Sequence, residues 1–277
     1  MNILAGVVSY EPDVKLLNKC VQSVLNSVEK VIIVDNSLNQ KNEVFENFKN
    51  NHNVSLIQNE RNVGVAKALN QIFQYAQDNY FDYVLCLDQD SVLPANVMTL
   101  YALAINENRD RRIGIICPRI HDRLTNKTWP ADVEGEKYVL VNRCITSGSL
   151  NSVEIWNELG GFDEYLFIDE VDHDYSYRVI QRGYSIIMCN DVIIDHQIGD
   201  TKIVFFCGIP MYIRNHKAFR KYYMVRNMIY IGKKHYGRIR LKDICHAMLF
   251  TLKTLIYEND KWNKFKTCCK GFRDGIR

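Results

Sequence analysis

The 277-residue sequence has no apolar run of transmembrane length, and its start, Met1-Asn2-Ile3-Leu4-Ala5-Gly6, carries neither a basic stretch nor a long apolar segment. Neither a spanning helix nor a secretory leader is expected, and the chain is expected to stay in the cytosol. No CxxC pair occurs among the nine cysteines. Cys86, Cys117 and Cys189 sit inside apolar, strand-like runs, where a thiol serves as a small hydrophobe, so reduced structural cysteines are expected and only the adjacent Cys268-Cys269 stands apart. There is no internal repeat and no low-complexity linker. No G-x-G-x-x-G follows the first strand-like run and no G-x-x-x-x-G-K-[ST] occurs anywhere, which excludes a dinucleotide fingerprint and a P-loop.

What is present is a globular composition, 47% apolar, in a length that suits one large domain or one domain with an appendage. The net charge of +3 hides an asymmetry. Residues 208–277 hold 17 Lys and Arg against 4 Asp and Glu, a net +13, whereas residues 1–207 hold 18 against 28, a net −10. The tail is a different kind of surface from the body. With helical character from about His216 onward, the expectation is a catalytic domain over residues 1–215 and a basic helical extension over residues 216–277.

Along the body, Asn2–Ser9 is a β-rich apolar run, Pro12–Asn26 has helical spacing at Val14, Leu17, Val21 and Leu25, and Lys30–Val34 is a second apolar run. The alternation continues with a strand at Val54–Ile57, a helix from about Val65 to Gln77 and a strand at Tyr83–Leu87. Apolar strands alternating with amphipathic helices predict an α/β fold, a mostly parallel sheet covered on both faces. Later strands are expected at Ile113–Pro118, Tyr138–Val141 and Ser185–Met188, a helix at Tyr175–Arg182, and helices from about His216 onward. In such sheets ligands sit beyond the carboxyl ends of the strands. Ser9-Tyr10-Glu11-Pro12, Asp35-Asn36-Ser37 and Asp88-Gln89-Asp90 all fall at such ends.

Asp88 and Asp90, one residue apart after a strand, suit a hard divalent cation that keeps positions open for water and phosphate oxygens. Asp also ends strands and starts turns, and Pro94 behind it fits a turn leading into a helix. Asn62-Val63-Gly64-Val65-Ala66-Lys67 is a glycine-containing turn entering a helix, with free backbone N–H groups and a lysine one turn in, adequate for a diphosphate; a plain helix start is the simpler account. Six carboxylates crowd Asp163 to Asp174 among large apolar side chains. Helix capping accounts for one or two of them, and a carboxylate held near apolar groups can act as a general base. His196 follows another apolar run; an imidazole beside carboxylates is an acceptable shell for Mn²⁺.

Taken in order, VVSYEPD, VDNS, ERNVGVAKALN, LDQDS, SGS, GGFDEYLFIDEVDHDYSYR and DHQIG resemble glycosyltransferase family-two enzymes with the GT-A fold, specifically the bacterial rhamnosyltransferase-like branch. The resemblance runs from Asn2 to about Asn227, and Gly271-Phe272-Arg273-Asp274-Gly275 also looks like that branch. It implies a Rossmann-like central sheet with flanking helices, a nucleotide-diphosphate sugar donor, and Mn²⁺ or Mg²⁺. It further implies that Ser9, Tyr10 and Asp35 contact the nucleotide with Asn36 nearby, that Asn62, Gly64 and Lys67 line the base and diphosphate, and that Asp88 faces the ribose while Asp90 and His196 hold the metal. Asp172 matches the catalytic aspartate, although Val171 stands where many members have Glu, which leaves Asp169 and Asp174 as rivals for the base. The branch implies dTDP-rhamnose as donor, with a UDP-hexose donor or a catalytically silent scaffold as the alternatives. A sugar-phosphate nucleotidyltransferase would need a glycine- and basic-rich loop that VVSYEPD lacks. The implied acceptor is a glycan on a membrane polyprenyl diphosphate, as in O-antigen and other surface polysaccharide synthesis. The basic tail can lie on an anionic membrane leaflet, making the protein peripheral there, or be a solvated face of a helical subdomain; no nucleic-acid-binding motif accompanies it.

Overall fold

The computed structural model describes residues 1–39, 41–122, 126–130, 135–196, 201–206 and 209–277, without the side chains of 41, 42, 122, 127, 196, 201–206, 209–212 and 214. The chain divides into two compact units, Met1–Tyr165 with Val171–His196, and Leu166–Glu170 with Gln197–Arg277.

The first unit is built on a nine-stranded sheet. It opens with β1 (Ile3–Ser9), α1 (Val14–Val24), β2 (Lys30–Asp35), α2 (Lys41–Phe48), β3 (Val54–Gln58), α3 (Val65–Asp78) and β4 (Tyr83–Asp88). There follow α4 (Val97–Glu107), β5 (Ile113–Asp122), β6 (Lys127–Trp129), β7 (Tyr138–Leu140), β8 (Leu150–Ser152), α5 (Val153–Glu158), α6 (Val171–Gln181) and β9 (Ser185–His196). The strand order is β3-β2-β1-β4-β8-β5-β9-β7, with β6 paired to β5. The pairings make β1 to β5 and β9 run one way, and the three-residue strands β6, β7 and β8 the other. The sheet is mixed and mostly parallel, and the near-continuous apolar strands are buried as such sheets require. Val31, Ile33, Leu85 and Leu87 face one large apolar cluster with Leu17, Val21, Val97 and Tyr101 from the helices.

Two local readings differ from the expectation. The helix expected at Tyr175 starts at Val171, so Asp172 and Asp174 lie inside its first turn, where the positive end of the helix dipole favours acids. The strand expected to end at Met188 continues to His196 across a register shift opposite Pro118, and β5 lengthens with it to Asp122.

The second unit consists of the antiparallel hairpin β10 (Thr201–Phe206) and β11 (Ile209–Arg214), with the helices α7 (Ala218–Tyr236), α8 (Leu241–Tyr257) and α9 (Lys261–Ile276). Val225, Ile229, Ala247 and Cys268 form its small apolar core. Polar burial is unusual here: Lys221, Glu258 and Lys264 are all at most 5% exposed, with Glu258 accepting from both lysines. Gly271 and Gly275 lie against the backbone of α7, where a Cβ would overlap the carbonyl oxygens of Tyr222 and Arg226. Among the described residues no helix is long and apolar enough to cross a membrane.

Candidate functional site

Strand order decides where the site lies. β1 is flanked by β2 and β4, and the chain leaves β1 toward one side and returns on the other, so a crevice opens beyond the carboxyl ends of β1 and β4. The parallel register pairs Ser9 with Asp35 and Val8 with Asp88, which brings the polar ends of three strands level. Across the crevice the backbone N–H of Tyr10 donates to the side-chain carbonyl of Gln89 at 2.8 Å.

Asp35 is completely buried. Its Oδ1 accepts from Ser9 Oγ at 2.8 Å, from Ser37 Oγ at 2.6 Å and from the Ser37 N–H at 3.2 Å. Its Oδ2 is buried without a hydrogen-bond partner among the described residues. A buried unpaired carboxylate oxygen costs several kcal/mol in water's absence, so it marks a place where a donor belongs. Asn36, also buried, accepts from Asn59 Nδ2 at 2.9 Å and holds the following loop. Asn62 accepts from the Gly64 N–H at 2.9 Å, and Gly64 has φ 88°, a left-handed conformation that a side chain would strain. Among the described residues no side chain caps α3, a condition that an anion site at a helix start requires.

Lys67 stands apart from this group. Its ammonium lies 3.8 Å from Glu164, and both residues line an open cavity of about 360 Å³ between α3 and α5 that includes Asn70, Gln74 and Asn157.

Asp88 and Asp90 lie in a tight turn closed by the Ser91 N–H on the Asp88 carbonyl at 3.1 Å. Ser91 and Ser147 hydroxyls are hydrogen-bonded, and Gly148 N–H donates to the Cys86 carbonyl at 2.8 Å, so the Ser147-Gly148-Ser149 motif packs along the end of β4. Beneath the turn, Cys20 Sγ lies 3.3 Å from the Asp88 carbonyl; burial first, then the charges of Asp88 and Asp90, push its thiol up to about 12. Asp88 is half-buried and Asp90 exposed on this turn, and two hard carboxylates of this kind are donors that Mg²⁺ or Mn²⁺ accepts beside phosphate and water. Among the described residues no three His, Cys, Asp or Glu side chains gather as a preformed metal cluster. His196 ends β9 opposite Asp122, and its side chain lies outside the described residues.

The three acids proposed as bases have different surroundings. Asp174 is fully buried and pairs with Arg178 Nε at 2.9 Å, while the same guanidinium donates to the carbonyls of Leu159 and Gly161 at 3.0 and 2.8 Å. Asp169, in the second unit, receives Arg220 bidentately at 3.0 and 2.8 Å. Asp172 is half-buried and lines a cavity of about 10 Å³ with Cys86 of β4, Ser149, Phe162 and Tyr175, whose buried hydroxyl has no hydrogen-bond partner among the described residues. Such a volume is on the scale of one water. Within the second unit, the segment before Asp172 is pinned by α7: buried Asn227 Nδ2 reaches the carbonyls of Leu166, Ile168 and Asp169 at 2.9, 2.8 and 2.8 Å. Phe167, Asp169 and Glu170 have φ of 63°, 64° and 66°, a strain of the kind that gathers at functional sites.

A family description, glycosyl transferase family 2, matches residues 7–159, from β1 through the Asp88-Gln89-Asp90 turn to the end of α5. The chain belongs to glycosyl transferase family 2. Over its full length it is 28% identical to the dTDP-rhamnosyl transferase RfbF of Shigella flexneri, of which it covers 96%. Among solved structures, it resembles S. aureus TarS 1-349 in complex with UDP-GlcNAc with a TM-score of 0.60 at 13% identity, covering 100% of this chain and 82% of the other. It resembles GalNAc-T7 with UDP, GalNAc and Mn²⁺ with a TM-score of 0.64 at 16% identity, covering 100% and 56%. The expected GT-A fold and glycosyltransferase activity are thereby shown.

Several residues that hold this family 2 transferase together at the site gave little signal in the sequence. Asn70 Oδ1 accepts from Trp156 Nε1 at 3.1 Å and the Phe162 N–H at 2.8 Å, while its Nδ2 donates to the Phe162 carbonyl at 3.0 Å and Glu164 at 3.1 Å. Gly161 faces this amide with φ 79°, and a Cβ there would lie 2.8 Å from Asn70 Oδ1. Asn70 closes the motif ERNVGVAKALN, Gln89 stands between the two aspartates, and Arg178 ends GGFDEYLFIDEVDHDYSYR; position within a motif was the one available clue to each.

Proposed function

We propose that this transferase moves L-rhamnose from dTDP-rhamnose to a glycan acceptor, with inversion at the anomeric carbon. The observation that carries a nucleotide donor is the unpaired, buried Oδ2 of Asp35 at the strand-end crevice. Thymine and uracil both present an imide N–H that such an oxygen accepts, and in this reading Ser9, Tyr10 and Asn36 make further contacts to the nucleotide. The full-length likeness to a dTDP-rhamnosyl transferase supports thymidine and rhamnose. A UDP-hexose donor is the second reading, favoured by the same Asp35 chemistry and by the UDP-GlcNAc held by the TarS neighbour.

Residues 1–215 form the catalytic domain in this reading. Asn62, Gly64 and the first N–H groups of α3 receive the base side and diphosphate, with Lys67 offering a cation from the next turn, and Asp88 faces the ribose. Asp90, with His196, would hold Mn²⁺ or Mg²⁺, which when bound neutralises charge on the diphosphate. Asp172 accepts the proton of an acceptor hydroxyl; the freed oxygen attacks the anomeric carbon opposite the diphosphate, and the sugar–phosphate bond breaks with its electron pair leaving on dTDP. Support for Asp172 comes from its half-buried place in the small cavity beside Cys86, Ser149 and Tyr175, which has room for about one water.

The acceptor in this reading is carried on a polyprenyl diphosphate, in the synthesis of a surface polysaccharide such as O-antigen, with the basic extension 216–277 at the cytoplasmic face of an anionic membrane. Calorimetric titration of the purified protein with dTDP and with UDP, each with Mn²⁺ and then EDTA, tests the donor. Metal-dependent binding of dTDP over UDP is expected. Tighter binding of UDP would move the donor to a UDP-hexose, and binding of neither by folded protein would return the scaffold reading.

A further inference from the structure

The outer face of α8 is apolar and uncovered. Leu241, Met248, Leu249, Leu252 and Ile256 are 48–75% exposed, and Cys245 among them is exposed too. At ~100° per residue these positions fall within an arc of about 100°. The opposite side of the helix carries buried Ala247 and Thr254, which face the core shared with Val225 and Ile229 of α7. One face of the helix is thus accounted for by the fold and the other is not.

The rim of the stripe decides what covers it. Along one edge stand exposed Lys242, His246 and Lys253. The two acids of the α8 region point elsewhere: Asp243 is held by Arg240 at 2.7 and 2.8 Å, and Glu258 is buried between Lys221 and Lys264. A second copy of α8 would bring like basic rims together with no exposed acid on the helix to pair them. An anionic surface that also accepts apolar side chains matches both halves of the face.

We propose that the outer face of α8 docks in the headgroup layer of an anionic lipid bilayer, with the helix in the plane of the membrane and Leu249 and Leu252 inserted. An amphipathic helix with a basic flank and no spanning length binds in this way. The inference deepens the reading of a lipid-borne acceptor, but its physical content is independent of the sugar transferred.

The test is co-sedimentation of the full chain with vesicles of phosphatidylcholine alone and of phosphatidylcholine with phosphatidylglycerol, at low and high salt, beside light scattering without lipid. Binding to the anionic vesicles that falls with salt is expected. Lys242→Gln with Lys253→Gln should weaken it by about five-fold per lysine, and Leu249→Asp with Leu252→Asp should abolish it. A wild-type chain that ignores anionic vesicles, or an aspartate variant that binds them as well as wild type, overturns the proposal. So does a lipid-free dimer that the aspartate variant splits, which would make a second copy the cover. A dTDP titration on the same variants keeps the two readings apart: vesicle binding without nucleotide binding would retain this inference and remove the donor assignment.

Discussion

The backbone N–H of Tyr10 donates to Gln89 just beyond the paired ends of β1 and β4, so the residue between Asp88 and Asp90 ties the acidic turn to the neighbouring strand end. The turn is thereby fixed from two sides, by this bond and by the Ser91 N–H on the Asp88 carbonyl.

Gln89→Ala removes one partly exposed hydrogen bond, a loss of about 0.5–1.5 kcal/mol. If that bond orients the turn, dTDP affinity falls by roughly 2- to 10-fold with little change in thermal midpoint. Titration and a melting curve on the same sample measure both, and a variant that melts early without losing affinity would make the bond purely structural.

Asp35→Ala removes the acceptor of three hydrogen bonds and the unpaired Oδ2 together. Stranding the Ser9 and Ser37 donors costs about 1–3 kcal/mol of stability. Nucleotide affinity should fall by at least about ten-fold, since a hydrogen bond to a charged group is worth about 1.5–3 kcal/mol. The Asp35→Asn variant, read by urea denaturation and titration, should keep more of the stability than of the affinity, because Oδ1 alone serves the serines.

Asp172→Asn and Asp174→Asn should separate catalysis from folding. The first is expected to lower turnover by ~10²–10⁴-fold while dTDP still binds. The second breaks an ion pair whose carboxylate is fully buried and should cost about 3–5 kcal/mol in denaturant unfolding. Near-normal turnover in Asp172→Asn would transfer the base role to Asp169 or Asp174.

Alkaline pH should weaken the second unit through Cys268. Burial, the largest influence, pushes its thiol up from 9.0 to about 11, with Thr251 and Lys221 opposing. The folded state keeps a proton that the unfolded chain loses above 9.0, so this contribution is intact below that pH and is lost as the pH rises toward about 11. Urea midpoints measured across that window should fall more steeply for wild type than for Cys268→Ala; equal slopes would mean the thiol titrates alike in both states.

The sequence was informative wherever a signal is local. Strand β1, helix α3 and strand β4 announce themselves through periodicity, and the polar ends of β1, β2 and β4 were readable as one site because parallel strands place their carboxyl ends together. It was weaker where structure depends on distant partners. The sequence places a helix at Tyr175–Arg182 with Asp172 or Asp174 near its start, and the structure begins it at Val171, so that both acids lie in its first turn. The strand β9 was shortened at Met188 because its continuation is stabilised by pairing with a lengthened β5, which no local pattern reveals.

By itself the sequence determined the fold class, the acids available and the basic character of the tail, since composition and period are properties of the chain alone. Tertiary structure decided which acid is which. Asp169 became an ion-pair partner because Arg220 arrives from α7, whereas Asp174 pairs with Arg178 one turn along its own helix and is fully buried by packing, and Asp172 lines a small cavity beside β4. It also decided that Asp35 would be buried with one oxygen unmet and that the apolar face of α8 would be left outside. Burial and partnership arise when distant segments pack, and a side chain's chemistry follows from its neighbours as much as from its identity.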